Sequence, residues 1–349
     1  MSTFHKLTIE KIIKETADAV SILFTIPAEL KEAYSFVAGQ YITVKTKIND
    51  KEIRRAYSIC ASPNSNQVKV AVKAVEKGTF STYATTKLKE NTSIEISEPE
   101  GKFILEPAAD KNYIAFAAGS GITPVLSMIK AVLENEPTAT FTLVFGNKKA
   151  STTIFFDELN ALATQYPTQF NLHYIFSQEV RNNSKFGRID TNHVNYFMKN
   201  IHKDISFDAA YLCGPEVMID IVSETLQEND FKKENIHFEL FTASTTEDEI
   251  PITYPDGKSE ITVLLDDEET TFSMEKTDTI LSASLRNKLD APYSCQGGVC
   301  SSCIAKVTEG RAVMSKNSIL TDDELVEGFI LTCMAHPTTP KVVVDFDDV

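Results

Sequence analysis

The stretch PYSCQGGVCSSCIAKV, residues 292–307, places Cys295, Cys300 and Cys303 within nine positions of a 349-residue chain that has six cysteines in all. Spacing decides what they hold. Cys295-x4-Cys300-x2-Cys303 is followed, after 29 residues, by Cys333 in LTCMAHP. A zinc ribbon presents two separate C-x2-C pairs, and only one such pair exists here. A disulfide framework belongs to oxidising compartments. The opening MSTFHKLTIEKIIKET lacks the apolar run of a secretion signal, and no stretch reaches the ~20 apolar residues needed to span a bilayer. The expected location is the cytoplasm, where clustered cysteines serve metal or redox chemistry.

A tight three-thiolate loop with a distant fourth ligand is the plant-type [2Fe–2S] arrangement. Two bridged irons need four terminal thiolates, and a loop carrying Gly297 and Gly298 can curl around them and turn N–H groups toward sulfur. Residues 259–349 resemble a plant-type ferredoxin domain, an α+β fold of β-grasp type. That resemblance implies that Cys295 and Cys300 hold one iron, and Cys303 and Cys333 the other. Ser301 departs from it, since relatives often carry Gly after the second cysteine. His336, beside Cys333, is expected only to pack near the loop.

Such a cluster moves one electron at a time, at a potential near about −400 mV. A nicotinamide gives two electrons as hydride, so a flavin is expected between them to accept a pair and release singles.

The first 105 residues suit a flavin domain. HKLTIEKI, AVSILFTI, QYITVKTKI, RAYSIC, QVKVAVKAV and SIEISEPEG read as short strands separated by turn residues, the pattern of a small antiparallel barrel. From residue 106 to 241, the apolar runs YIAFAAG, TFTLVFG, FNLHYIFS and AAYLCGP alternate with helical patterns, which predicts a doubly wound parallel sheet. Val125, Met128, Ile129, Val132 and Leu133 fall on one face of its first helix. Phe155 and Phe156 are expected in a helix core. Residues 242–258, rich in Ser, Thr, Pro, Gly and acids, read as a linker.

Within the barrel, RRAYSIC (54–60) is followed by VKAVEKGTFSTYA (72–84). Gly78 permits close backbone approach, and Ser81 can donate at a helix start. The pair resembles the flavin motifs R-x-Y-[ST] and G-x-x-S of the ferredoxin–NADP⁺ reductase superfamily. The resemblance implies that Arg55 neutralises flavin phosphates, that Tyr57 stacks on the isoalloxazine and that the Ser58 hydroxyl reaches toward N5. Ala56, Val72, Lys73, Gly78, Thr79, Phe80 and Ser81 complete the flavin set. FAD is what the resemblance implies; the residues alone leave FMN open. Cys60 is assigned to packing.

In YIAFAAGSGITPVLSMIK, the turn Gly119, Ser120, Gly121 precedes a helix with Pro124 in its first turn, a terminus suited to phosphate. It matches the superfamily's G-x-G-[IV]-[ST]-P element, which adds Ile122 and places Thr123 beside the flavin. The C-G-P element is Cys213, Gly214 and Pro215, with Cys213 expected near the reactive nicotinamide carbon but not as a nucleophile. HFELF (237–241) resembles the segment closing the module, so Glu239 and Phe241 are expected to border the flavin. After the second parallel strand, FGNKKAST (145–152) carries Asn147, Lys148, Lys149 and Ser151 but no acid, which favours NADPH, with NADH the alternative.

The order of flavin barrel, nicotinamide domain and ferredoxin resembles the reductase components of multicomponent oxygenases. FHKLTIEKI, RRAYSIC and the C-terminal ferredoxin are most similar to reductases serving an epoxygenase of an aromatic thioester; steroid-hydroxylase reductases share the order. The resemblance implies an oxygenase partner of di-iron or Rieske type. A non-catalytic iron–sulfur redox sensor is the alternative from another class. The net charge of −15, of which residues 251–349 carry −9, argues against nucleic acid and leaves an acidic tail able to steer a basic partner.

Overall fold

The computed structural model describes residues 3–241 and 257–349. Residues Phe4–Phe241 form one compact unit and the ferredoxin-like residues another, each described by itself below. Residues 242–256 of the expected linker lie outside the described residues, and Lys258 already opens a strand.

The first strands are β1 (Phe4–Thr16), β2 (Ala19–Thr25), β3 (Tyr41–Ile48), β4 (Lys51–Ser58) and β5 (Val68–Lys73); helix α1 (Thr79–Thr86) and β6 (Ser93–Ser97) follow. They form an antiparallel sheet in the order β4-β3-β6-β1-β2-β5. A bridge between Ile59 and Val70 joins its two ends and closes the barrel. The β3–β4 hairpin turns through Asn49 and Asp50, both left-handed, as a two-residue turn matching strand twist demands. Leu7, Ile9, Ile22, Ile42, Val70 and Ile96 fill the interior.

The second sheet contains β7 (Asn112–Ala118), β8 (Thr140–Asn147), β9 (Phe170–Phe176), β10 (Ser184–Phe186), β11 (Ala209–Gly214) and β12 (Ile236–Leu240). All six run parallel in the order β10-β9-β8-β7-β11-β12. Between them lie helices α2 (Ile122–Asn135), α3 (Phe156–Gln165), α4 (Thr191–Tyr196) and α5 (Glu216–Glu228). The chain starts at β7, grows outward to β10, and returns to the other side of β7 with β11. The switch point therefore lies between β7 and β11, where such sheets bind ligands beyond the strand ends.

Helix α2 buries more than the single face expected. Val125, Met128, Ile129, Val132 and Leu133 are buried, but so are Leu126, Ser127 and Ala131. The reason is that α2 lies between the parallel sheet and the barrel: Ser127 Oγ donates to the Ala61 carbonyl at 2.8 Å and Lys130 Nζ to the Cys60 carbonyl at 3.2 Å. Phe155, expected in a helix core, is buried but precedes α3 in the left-handed conformation (φ 60°); Phe156 is the first helical residue.

The second unit holds β13 (Lys258–Leu265), β14 (Glu268–Glu275), α6 (Ile280–Arg286), β15 (Ile304–Glu309), β16 (Ala312–Met314), α7 (Asp322–Val326), β17 (Phe329–Leu331), β18 (Ala335–Pro337) and β19 (Lys341–Asp345). Its sheet runs β14-β13-β19-β15-β17 with the central β13–β19 pair parallel, the mixed β-grasp topology. Ile261, Val263, Ile280, Leu331, Val342 and Val344 form its core. Each is worth about 1.5–3 kcal/mol of burial.

Candidate functional site

Strand β4 alternates: Arg54 and Ser58 are buried and Ala56 half-buried, while Arg55 and Tyr57 occupy the opposite face. Arg55 is exposed, and one guanidinium N–H donates to the Arg54 carbonyl at 2.7 Å, which fixes the fork while leaving other donors open. The Tyr57 ring is half-buried against Phe80, 5.5 Å between centroids, and burial raises its phenol pKa. Phe80 itself is buried at the start of α1. The Ser81 hydroxyl accepts from the Val75 N–H at 3.3 Å, and a Cβ at Gly78 would lie 2.2 Å from that oxygen. Gly78 is therefore required by the turn itself. Thr79 is exposed, Lys73 pairs with Asp18 at 3.7 Å, and the Val72 side chain lies in the barrel core.

At the switch point the two glycine motifs touch. A Cβ on Gly121 would lie 2.1 Å from the Cys213 carbonyl oxygen, and one on Gly214 would meet Met218 at 2.7 Å and Ala118 at 3.1 Å. Gly119 is left-handed (φ 57°) with no atom within 4 Å of its would-be Cβ, an open concavity beside the N-terminus of α2. The Thr123 hydroxyl donates to the Ser120 carbonyl at 3.1 Å, and Ile122, Thr123 and Pro124 are all buried, so these three shape the turn. Pro215 is exposed and caps α5.

At the carboxyl end of β8, Asn147 keeps its Nδ2 buried with no hydrogen-bond partner, a donor group left for something else to satisfy. Lys148 and Lys149 are exposed. FGNKKAST has no acid of its own, yet the fold brings Glu179 to it: its carboxylate accepts from the Ala150 N–H at 2.7 Å. The Gln178 N–H meets the Lys148 carbonyl at 2.9 Å. Sequence spacing carries no hint of that loop pairing.

Three of the expected residues meet where the barrel and sheet join. Ser58 Oγ, at the end of β4, donates to Glu239 Oε2 on β12 at 3.1 Å. Glu239 stands opposite Cys213 in the parallel register. Desolvation pushes the Glu239 carboxyl up to about 8, opposed by the Ser58 hydrogen bond. Burial, then the neighbouring Glu239, drives the fully buried Cys213 thiol well up. Both shifts favour the uncharged form of the group. Phe241, 37% exposed, follows at the strand end. Cys60 is buried with its thiol donating to the Lys69 carbonyl at 3.2 Å, an inert packing position as expected.

In the second unit the four cysteines form a chain of contacts. Cys295 reaches Cys300 and Cys333, and Cys333 reaches Cys303. The Gly297 N–H points at Cys295 Sγ, 3.4 Å away. Gly298 is left-handed (φ 70°), and a Cβ there would collide with Met334 at 2.9 Å. Among the described residues no three His, Cys, Asp or Glu side chains close on a point that would hold a single ion. Four thiols within one contact chain are the number of terminal ligands that a two-iron cluster takes. Ser294, buried beside Cys295, has an unpartnered hydroxyl. The donor set fits a [2Fe–2S] cluster. His336 is buried and hydrogen-bonds the backbone of the 276–278 turn, a packing role.

Comparison with known proteins agrees with this architecture. An oxidoreductase FAD-binding domain model matches residues 6–104, an oxidoreductase NAD-binding domain model 116–224, and a 2Fe-2S iron–sulfur cluster binding domain model 263–338. The chain is 39% identical to a subunit of the 1,2-phenylacetyl-CoA epoxidase of Escherichia coli K12, over 99% of each chain. It is 30% identical to the ferredoxin reductase component of 3-ketosteroid-9-alpha-monooxygenase of Rhodococcus rhodochrous, over 97% of this chain and 96% of the relative. Among solved structures, phthalate dioxygenase reductase covers 98% of each chain at 24% identity with a TM-score of 0.62, a likeness of fold. No helix among the described residues is long and apolar enough to cross a membrane.

Proposed function

Since the chain belongs to the family of flavin and iron–sulfur oxygenase reductases, we propose that it serves an epoxidase of phenylacetyl-CoA. The electron donor in this reading is NADPH and the flavin is FAD. A bound flavin and cluster would supply conversion of a hydride pair into single electrons.

The observation that carries electron entry is the meeting of Ser58, Cys213 and Glu239 at the junction of barrel and sheet. Tyr57 offers a ring face for the isoalloxazine, and Arg55 offers its open guanidinium N–H groups to phosphate. Lys73, Gly78, Thr79, Phe80 and Ser81 border the same side, with the backbone of Ala56 and Val72. Gly119 to Pro124, Gly214 and Pro215 hold the nucleotide, and Asn147 donates its unpartnered Nδ2 there. Glu239 keeps a proton at its carboxyl while Ser58 orients it. Cys213 contributes bulk without charge beneath the nicotinamide. Cys295, Cys300, Cys303 and Cys333 hold the cluster, with the Gly297 N–H directed at Cys295 sulfur.

The NADPH preference is supported by exposed Lys148 and Lys149. The choice of an epoxidase leans on the 39% relative; the 30% relative favours a steroid monooxygenase as the second reading. Reconstituted holoenzyme should oxidise NADPH in preference to NADH and support turnover of phenylacetyl-CoA when mixed with epoxidase components. Turnover only with a steroid oxygenase transfers the assignment to the second reading. A chain that binds its cluster but reduces no cytochrome with either nucleotide defeats both.

A further inference from the structure

The barrel and the nicotinamide sheet are joined by a charged network of two well-covered lysines and a glutamate that is 34% exposed. Glu158, in the first turn of α3, pairs with Lys130 of α2 at 2.6 Å and with Lys69 of β5 at 3.6 Å. The lysine side chains are only 13% and 16% exposed. We propose that Lys130 and Glu158 are positioning residues that set the separation between the Tyr57–Ser58 strand end and the Gly119–Pro124 turn. This rests on the reading that hydride crosses at that junction.

Connectivity gives the reason. Lys130 also donates to the carbonyl of Cys60, two residues beyond Ser58, at 3.2 Å. Its own helix begins at the glycine turn. One ammonium group thus ties the strand carrying the flavin residues to the helix carrying the nucleotide turn. Along the same side of α2, Ser127 bonds Ala61 at 2.8 Å, Glu134 accepts from the Ser62 hydroxyl, and Asn135 accepts from Asn64 at 2.8 Å. Lys69 is held in turn over the Phe155 ring, 5.1 Å from its centroid, at the left-handed residue that starts α3. Glu15, hydrogen-bonded by Ser21, completes the set of charges around the pair.

Apolar contacts tolerate sliding, whereas hydrogen bonds to particular carbonyls do not, so this contact fixes registry. Burial works to raise the Glu158 carboxyl, but Lys130 and Lys69 outweigh it and leave it below the ordinary carboxylate range. Glu158 is therefore favoured in its charged form. Registry matters here because hydride transfer needs near-contact geometry, and a displacement of about 1 Å costs on the order of a hundredfold in rate.

The test is anaerobic stopped-flow reduction of the FAD- and cluster-loaded full chain by NADPH, giving a limiting rate and a nucleotide Kd. In the Lys130→Met/Glu158→Gln double variant the limiting rate should fall about ten- to hundredfold. The Kd should stay within about twofold with flavin content close to wild type, while the melting temperature should fall because Lys69 loses its carboxylate partner. Ser127→Ala, a milder loss of one buried hydrogen bond, should lower the rate about fivefold; it alone decides the matter if the double variant does not fold. A limiting rate within about twofold of wild type, or a rate loss matched by an equal rise in Kd, overturns the proposal. A wild-type chain that neither nucleotide reduces sinks the functional reading and this inference together.

Discussion

Ser58 and Glu239 are separated by 181 residues in sequence and by 3.1 Å in the fold. One ends β4 of the barrel; the other sits on β12, the edge strand of the parallel sheet, opposite Cys213. Burial, opposed by the hydrogen bond from Ser58, raises the Glu239 pKa and favours the uncharged carboxyl beside Cys213.

That protonation gives a pH signature. The folded Glu239 pKa of about 8 lies above its ordinary value, so between about 4.5 and 8 the native state holds a proton that the unfolded chain has released. The contribution is present in full below the unfolded pKa and is lost as pH rises through the folded one. Urea unfolding of the wild type should therefore show a stability decline from pH 5 to 8 that Glu239→Gln largely removes.

Arg55 is exposed, and its guanidinium donates to a carbonyl on its own strand. Arg55→Ala should leave the unfolding midpoint within about 0.5 kcal/mol of wild type. Flavin affinity, measured by fluorescence on release, should weaken by about 1.5–3 kcal/mol, the worth of a charge-assisted hydrogen bond.

Two glycines of one turn should respond differently to alanine. At Gly121 the new Cβ meets the Cys213 carbonyl, backbone that cannot yield, and the expected loss is about 3 kcal/mol. At Gly119 there is open space and only the left-handed strain of about 1–2 kcal/mol remains. Equal losses in denaturant titrations would contradict the packing described for the switch point.

Replacing Cys333 by Ser removes one thiolate of the quartet while leaving the other unit's residues intact. Iron content and the visible cluster absorption should fall, and NADPH-dependent cytochrome reduction should drop at least about tenfold. Reduction of ferricyanide, which takes electrons directly from flavin, should persist. Loss of both activities would mean that the cysteine supports more than the cluster.

Local pattern makes most of the architecture readable. Alternation marks the barrel strands, the change to β–α rhythm at about residue 110 marks the parallel sheet, and cysteine spacing marks the third module. The motif residues on β4 and at the glycine turn are legible for the same reason: they lie close together in sequence. Long-range pairing is what escapes. Ser127, Lys130 and Glu134 look like an ordinary wet helix face, and only the packed barrel makes that face an interface. Glu179 and Ala150 are likewise brought together by the segments that follow two separate strands. Periodic neighbours place Phe155 inside a helix, but its backbone turns left-handed just before the helix begins.

The strand order has a consequence for how the chain is made. The outer side of the switch point, β11 and β12, is the last part of its unit to leave the ribosome. At about 5–20 residues per second, Glu239 emerges roughly ten to thirty-five seconds after Ser58. For that interval a finished barrel would stand with no crevice beside it, so the two halves of the junction are completed at separate moments in the birth of the molecule.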